Sequence, residues 1–149
     1  MGQFFQHYFL PCLWAFFSCL GFGLVFNIHG AGILICGLGS GLGWLVYLIV
    51  TDFGLSDIFS AFLAAMVIAA YAEAMARVRR CPVTGYLQIA LLPLVPGAGI
   101  YYSMQHAVLG HSDLFLSTLI HTFGFAAALS VGAMLTSSIL RAVLSGRRH

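Results

Sequence analysis

Apolar stretches long enough to cross a lipid bilayer occupy most of this chain. They lie at about residues 8–26, 31–50, 58–76, 86–104 and 114–140. A helix needs roughly 20 apolar residues to cross about 30 Å of hydrocarbon. Only 7% of the residues are charged and the mean hydropathy is +1.01, whereas about 25% of a soluble domain is charged. We therefore predict an all-α integral membrane protein with about five transmembrane helices in a single transmembrane domain, residues 1–149.

The few charged residues predict how the chain is oriented. All six basic residues are arginines, and they follow the third and fifth apolar stretches: Arg77, Arg79, Arg80, Arg141, Arg147 and Arg148. Because basic segments next to spans stay in the cytoplasm, we expect the C-terminus inside and the N-terminus outside. The first stretch has no basic residue before it, so we do not expect a cleaved signal peptide. No basic face is interleaved with aromatic residues, which argues against nucleic-acid binding.

Small residues recur at helical spacing in two of the predicted spans. The second span contains Gly37, Gly39, Gly41 and Gly43, and the fifth contains Gly124, Ala128 and Gly132. In a bilayer, such spacing lets two helix backbones approach closely. A flexible loop is the alternative for the glycine-rich segment, but it would leave peptide groups unsatisfied in lipid. We therefore assign these residues to helix packing.

A double-proline segment, Leu92-Pro93-Leu94-Val95-Pro96-Gly97, interrupts the fourth predicted span. Each proline removes a backbone donor and clashes with the preceding turn, so the helix should break here. Broken helices in membranes line cavities or are covered by protein, and transporters bind solutes at such breaks. The pattern predicts a solute site at Pro93, Pro96 and Gly97. The alternative is a proline kink that only shapes packing.

Polar side chains inside the spans are further candidates for a role in transport. Tyr101 follows Gly97 by one helical turn and is either a donor to a solute carboxylate or an interfacial anchor. Glu73 and Arg77, four residues apart, form either an ion pair or a coupling or gating group. His121 is either a proton relay or a neutral, hydrogen-bonded side chain.

Patterns typical of metal, cofactor or enzyme sites are missing from the sequence. The cysteines form no CxxC pair and fit small buried apolar side chains. His106, His111 and Asp113 share a loop, but their spacing is not specific for a metal. There is no HExxH, GxSxG or paired-carboxylate motif, so we expect neither an enzyme nor a bound metal or cofactor.

Several segments together resemble the threonine/serine exporter family. They are Gly21-Phe22-Gly23-Leu24-Val25-Phe26-Asn27, the glycine-rich second span, Cys81-Pro82, Pro93-Leu94-Val95-Pro96-Gly97 and Tyr101. The likeness is to the compact membrane half, the small subunit of two-component exporters. It implies substrate-binding roles for the motif members Asn27, Pro93, Pro96, Gly97 and Tyr101.

The resemblance also implies what the chain does and where. It implies efflux of threonine and serine, or of a small carboxylate such as succinate, across the bacterial inner membrane. The implied partner is a larger exporter subunit that carries a cytoplasmic region, and a homo-oligomer is a further expectation. A membrane scaffold that assembles or stabilises a partner without transporting is the alternative, because the glycine stripes suit both roles.

Overall fold

The computed structural model describes residues 5–28 and 30–145, and these residues are almost entirely helical. A short π-helical turn, Phe5–Phe9, precedes helices α1 Leu10–Val25, α2 Ala31–Asp52, α3 Asp57–Arg79, α4 Val83–Leu91, α5 Gly97–Val108 and α6 Ser112–Ser145. A 3-10 turn, Leu92–Leu94, lies between α4 and α5. Arg147 and Arg148, used above to predict orientation, lie outside the described residues.

Helix length and composition make this a membrane protein. Four helices are long and apolar enough to cross a bilayer, and there are up to five if α4 and α5 count as one broken span. The predicted all-α membrane fold with a broken fourth helix is therefore confirmed. The broken pair covers 83–94 and 97–108, and its two parts are bent by 50°. It continues past the predicted end at 104, and α6 begins at Ser112 and runs to Ser145 rather than covering 114–140.

Helix α3 lies at the centre of the bundle and packs on α2, α4 and α6, while α1 packs on α2 and α5 on α6. Its contact surface consists mainly of small side chains. The buried alanines are Ala61, Ala64, Ala65, Ala69, Ala72 and Ala76. Because alanine projects only a methyl group, three neighbouring helices can approach α3 closely.

The glycines of α2 face two different neighbours. Gly37 and Gly41 face α1, and a Cβ at Gly37 would lie 2.7 Å from the ring of Phe16. Gly39 and Gly43 face α3, where a Cβ at Gly43 would overlap a side chain. Each GxxxG pair of the sequence thus lies at its own helix–helix contact.

Helices α3 and α6 run parallel and stay in contact along most of α3. Gly124 faces Ile58 near the start of α3, and a Cβ at Gly132 would lie 2.6 Å from the carbonyl oxygen of Phe62. Ala128 between them is half-buried. Because α6 has no side chain at Gly132, the two backbones meet directly at that level.

Candidate functional site

The break between α4 and α5 is built by hydrogen bonds that replace the helical ladder. The amide of Val95 donates to the carbonyl of Leu92 at 3.1 Å, which closes the 3-10 turn. The amide of Gly97 donates to the carbonyl of Val95 at 2.7 Å. The amide of Ile100 then donates to the carbonyl of Pro96 at 3.2 Å and starts the ladder of α5. The amides of Ala98 and Gly99 therefore precede the ladder of α5 and are available to other acceptors.

A cysteine covers the carbonyl group that Pro93 leaves without its helical donor. The carbonyl of Ile89, four residues before Pro93, accepts a hydrogen bond from Cys19 Sγ at 3.5 Å. It also accepts from the amide of Leu92. Cys19 belongs to α1 and is fully buried. The neighbouring helix thus satisfies part of the broken backbone, as a break inside a membrane requires.

A cavity of about 350 Å³ lies against the break. One wall is the backbone and side chains of residues 93–99. The side chains opposite come from α2, α3 and α6: Trp44, Tyr47, Asp57, His121, Thr122 and Phe125. Its volume is at the lower end of the range of about 300–1,000 Å³ for ligand pockets, which suits a small solute.

Helices α5 and α6 approach each other closely beside the cavity. A Cβ at Gly99 would overlap the hydroxyl oxygen of Thr122. Thr122 is buried, and its hydroxyl donates to the carbonyl of Thr118 at 2.7 Å. Gly99 therefore sets how near the start of α5 lies to α6.

Asp57 and His121 face each other across one side of the cavity. His121 Nε2 lies 4.0 Å from Asp57 Oδ2, and the side chains are 56% and 49% exposed respectively. Asp57 opens α3 directly after Ser56, whose hydroxyl accepts from the amide of Phe59 at 3.4 Å. A carboxylate is favourable at this position because the helix N-terminus carries a partial positive charge.

The model of one protein family, described as Threonine/Serine exporter, ThrE, matches residues 11–139. The chain belongs to the threonine/serine exporter family. The matched range includes the break and every residue that lines its cavity. The family resemblance expected from the sequence is confirmed. No solved structure matches this exporter chain.

The candidate site residues of the exporter do not all meet at the break. Pro93, Pro96 and Gly97 line one cavity together with His121, which the sequence singled out separately as a coupling or gating candidate. Sequence reasoning missed Asp57 among the cavity residues. An aspartate at the first position of a helix is typical of helix capping, and no short sequence spacing relates Asp57 to His121.

Glu73 and Arg77 lie at the other end of α3. Arg77 Nη2 lies 2.9 Å from Glu73 Oε1, so the ion pair that the four-residue spacing suggests is present. Glu73 is buried. Arg141 of α6 approaches its second oxygen, with Nε 3.9 Å from Oε2. Neither Glu73 nor Arg77 lines the cavity at the break, and a coupling or gating role for them stays a prediction.

Asn27 and Tyr101 also lie away from the cavity. Asn27 is exposed and ends α1 with a φ of 59°. Its amide donates to the carbonyl of Leu24 at 3.1 Å. Tyr101 is 65% exposed and packs edge-on against Tyr102 with ring centroids 5.5 Å apart. Their part in substrate binding stays a prediction from the family resemblance.

His106, in the last turn of α5, lies near His111 in the following loop. The rings of His106 and His111 are 6.3 Å apart between centroids. Within residues 5–28 and 30–145, no group of three or more histidine, cysteine, aspartate or glutamate side chains is arranged to hold a metal ion.

Proposed function

We propose that this chain is the membrane subunit of a small-solute exporter that works across the bacterial inner membrane with a larger partner subunit. Its solute is threonine or serine, or a small carboxylate such as succinate. Membership of the threonine/serine exporter family supports the two amino acids. The observation that carries the proposal is the broken helix beside a cavity of about 350 Å³.

The start of α5 is the proposed binding point for the solute carboxylate. The amides of Ala98 and Gly99 precede the first helical hydrogen bond of α5, and both residues line the cavity. Helix N-termini attract anions because free N–H groups and the helix dipole both point outward there. If the solute carboxylate binds at these amides, the rest of the solute faces α3 and α6.

The hairpin of α5 and α6 is the proposed contact for the partner subunit. His121 lies level with Asp57, the first residue of α3. Since α6 begins nine residues earlier at Ser112, it extends about 13 Å beyond the start of α3. Both helices of the hairpin carry large exposed apolar side chains. They are Ile100, Tyr101, Tyr102, Met104 and Val108 on α5, and Leu114, Leu116 and Ile120 on α6. Partner helices would cover a surface of this kind, and a second copy of the chain would cover it in a homo-oligomer.

The function is tested by restoring the helix through the break. In vesicles that hold both subunits, Pro96→Ala combined with Gly97→Leu should abolish efflux of labelled threonine, serine and succinate. Membrane insertion should be unchanged, because both replacements favour an apolar helix. The matched control combines Pro82→Ala with Gly21→Leu, since Pro82 does not line the cavity and a Cβ at Gly21 meets nothing within 4 Å.

Efflux at the normal rate from vesicles with the restored helix would overturn the solute site. The scaffold alternative is favoured by the glycine contacts of α2 and by the exposed hairpin. Vesicles that contain the partner alone separate the two functions. If the partner alone exports with the same selectivity, this chain is a scaffold.

A further inference from the structure

Among the described residues that line the cavity at the break, one side chain is acidic and one is basic, Asp57 and His121. We propose that Asp57 binds the ammonium group of an amino-acid solute and that protonated His121 competes for the same carboxylate. This inference rests on the proposed function. Solute release is then coupled to the uptake of a proton by His121. The proposal thus assigns two side chains of the cavity to solute recognition and to proton exchange.

Asp57 and His121 lie close to each other without a hydrogen bond between them. The 4.0 Å between His121 Nε2 and Asp57 Oδ2 is longer than a hydrogen bond. Both side chains are about half exposed, so neither is fixed by packing. An ammonium group fits at the Asp57 carboxylate when the imidazole is neutral. An imidazolium attracts the same carboxylate and closes the gap.

Few titratable side chains surround Asp57 and His121 at the cavity. Helix α2 contributes Tyr47 as its only titratable lining side chain, and a phenol is uncharged at neutral pH. Helix α3 contributes Asp57, α6 contributes His121, and residues 93–99 contribute no titratable group. No arginine within residues 5–28 and 30–145 lines the cavity. The proton on His121 therefore decides whether Asp57 is already neutralised.

The exchange is balanced in charge. With neutral His121, the cavity holds the Asp57 carboxylate and a zwitterionic solute, so its net charge is −1. When His121 takes up one proton and the solute leaves, the net charge is zero. One proton thus replaces one solute molecule at Asp57, without any covalent step. The sequence predicts that the Asp57 end of the bundle faces outside, where an inward proton gradient would favour release.

The carboxylate of Asp57 also bears on which solute the cavity binds. A dicarboxylate would place its second carboxylate near Asp57, where like charges repel. Amino acids should therefore bind better than succinate.

The test measures binding by calorimetry, using the full chain in lipid nanodiscs with threonine, serine or succinate. Threonine affinity should fall at least about tenfold from alkaline to acidic pH, because protonated His121 competes for Asp57. His121→Gln should remove this pH dependence. Asp57→Asn should weaken threonine binding at least about tenfold at every pH, while Asp57→Glu, which keeps a carboxylate, should retain binding.

A second aspartate–histidine pair gives the matched control. His7 Nε2 lies 3.2 Å from Asp52 Oδ2, but neither residue lines the cavity. His7→Gln and Asp52→Asn should therefore keep the wild-type pH dependence and affinity.

The two proposals fail in different ways. If wild type binds threonine and Asp57→Asn binds it equally well, the exchange at Asp57 is overturned. The same follows if His121→Gln keeps the pH dependence of wild type. Either result leaves the proposed solute site unaffected. A wild-type chain that binds none of the three solutes at any pH would overturn the solute site and the exchange together. Circular dichroism of each variant confirms that its helices are formed.

Discussion

Helices α3 and α6 meet through charged side chains at both ends of α3, and the two contacts are built differently. At one end, the buried Glu73 pairs with Arg77 of its own helix at 2.9 Å and lies 3.9 Å from Arg141 of α6. At the other, Asp57 and His121 are about half exposed and 4.0 Å apart. Arginine stays charged at all physiological pH values, whereas histidine gains or loses its charge near neutrality. One end is thus suited to hold the helices together, and the other to change with pH.

The segment between the two ends explains how they can differ. Gly132 brings the backbone of α6 against the carbonyl of Phe62, and this contact sets the register of the two helices independently of either charged pair. Glu73 itself is buried in the bundle, whereas its partner Arg77 is 42% exposed. The Glu73 end of α3 is the closed end. Asp57 and His121 lie beside the cavity, since α5 bends away at the break. The Asp57 end of α3 is the open end.

The largest expected effect comes from separating the two helices at their closest point. Gly132→Ala places a Cβ 2.6 Å from the carbonyl oxygen of Phe62, and a backbone atom cannot turn aside. We expect the free energy of unfolding to fall by about 2–3 kcal/mol, as for an overpacked core. Unfolding in mixed micelles with increasing dodecyl sulfate measures it.

Gly124→Ala is the matched control on the same helix. A Cβ there meets only the end of the flexible Ile58 side chain, at 3.1 Å, so the cost should stay below about 0.5 kcal/mol. Equal losses for the two variants would show that α3 and α6 do not depend on a direct backbone contact.

The next largest effect is expected when a cation is removed from the closed end of α3. Arg77→Gln leaves the buried Glu73 carboxylate with Arg141 at 3.9 Å as its remaining partner. Removing one member of a buried pair costs about 3–5 kcal/mol. Because Arg77 itself is 42% exposed and Arg141 stays nearby, we expect about 2 kcal/mol in the same unfolding assay.

Arg79→Gln controls for the loss of positive charge at that end of α3. Arg79 is exposed, and exposed charges contribute about 0–1 kcal/mol. A loss as large in Arg79→Gln as in Arg77→Gln would mean that the buried pair does not stabilise the closed end.

A smaller effect concerns the open end and is seen in binding. Gly99→Ala would push the start of α5 away from the Thr122 hydroxyl. The first amides of α5 then move relative to Asp57, and we expect threonine affinity to fall about tenfold, equal to about 1.4 kcal/mol. Calorimetry on nanodiscs checks it. Combining Gly99→Ala with Thr122→Ala removes the overlap and should recover most of the affinity, whereas an unrecovered loss would place the cause elsewhere.

The closed end could be predicted from the sequence better than the open end. The spacing of Glu73 and Arg77 predicts their contact directly, because residues four apart share a helix face. The double-proline segment likewise predicts a break from local chemistry alone. Asp57 and His121 have no such local relation. They meet only because α3 and α6 pack in parallel register, which one sequence does not specify.

Helix bounds were also less predictable around the open end. Hydropathy separates the fourth and fifth stretches at the polar residues that follow 104, but α5 continues to Val108 and α6 starts at Ser112. A helical hairpin that extends beyond its neighbours can include Gln105 and Asp113 without losing backbone hydrogen bonds. Hydropathy measures compatibility with lipid, so it does not mark the helix ends there.

The smallest expected effect is the one that most sharply separates the two ends. Asp57→Asn should change the free energy of unfolding by less than about 0.5 kcal/mol, because a half-exposed pair at 4.0 Å contributes little. The neighbouring variant Ser56→Ala, which removes the hydroxyl that caps α3, should cost about 1 kcal/mol and shows that the assay resolves changes at this helix start. If Asp57→Asn proved as destabilising as Arg77→Gln, both ends of α3 would be structural contacts. A carboxylate needed for folding in that way would not be free to exchange a solute for a proton.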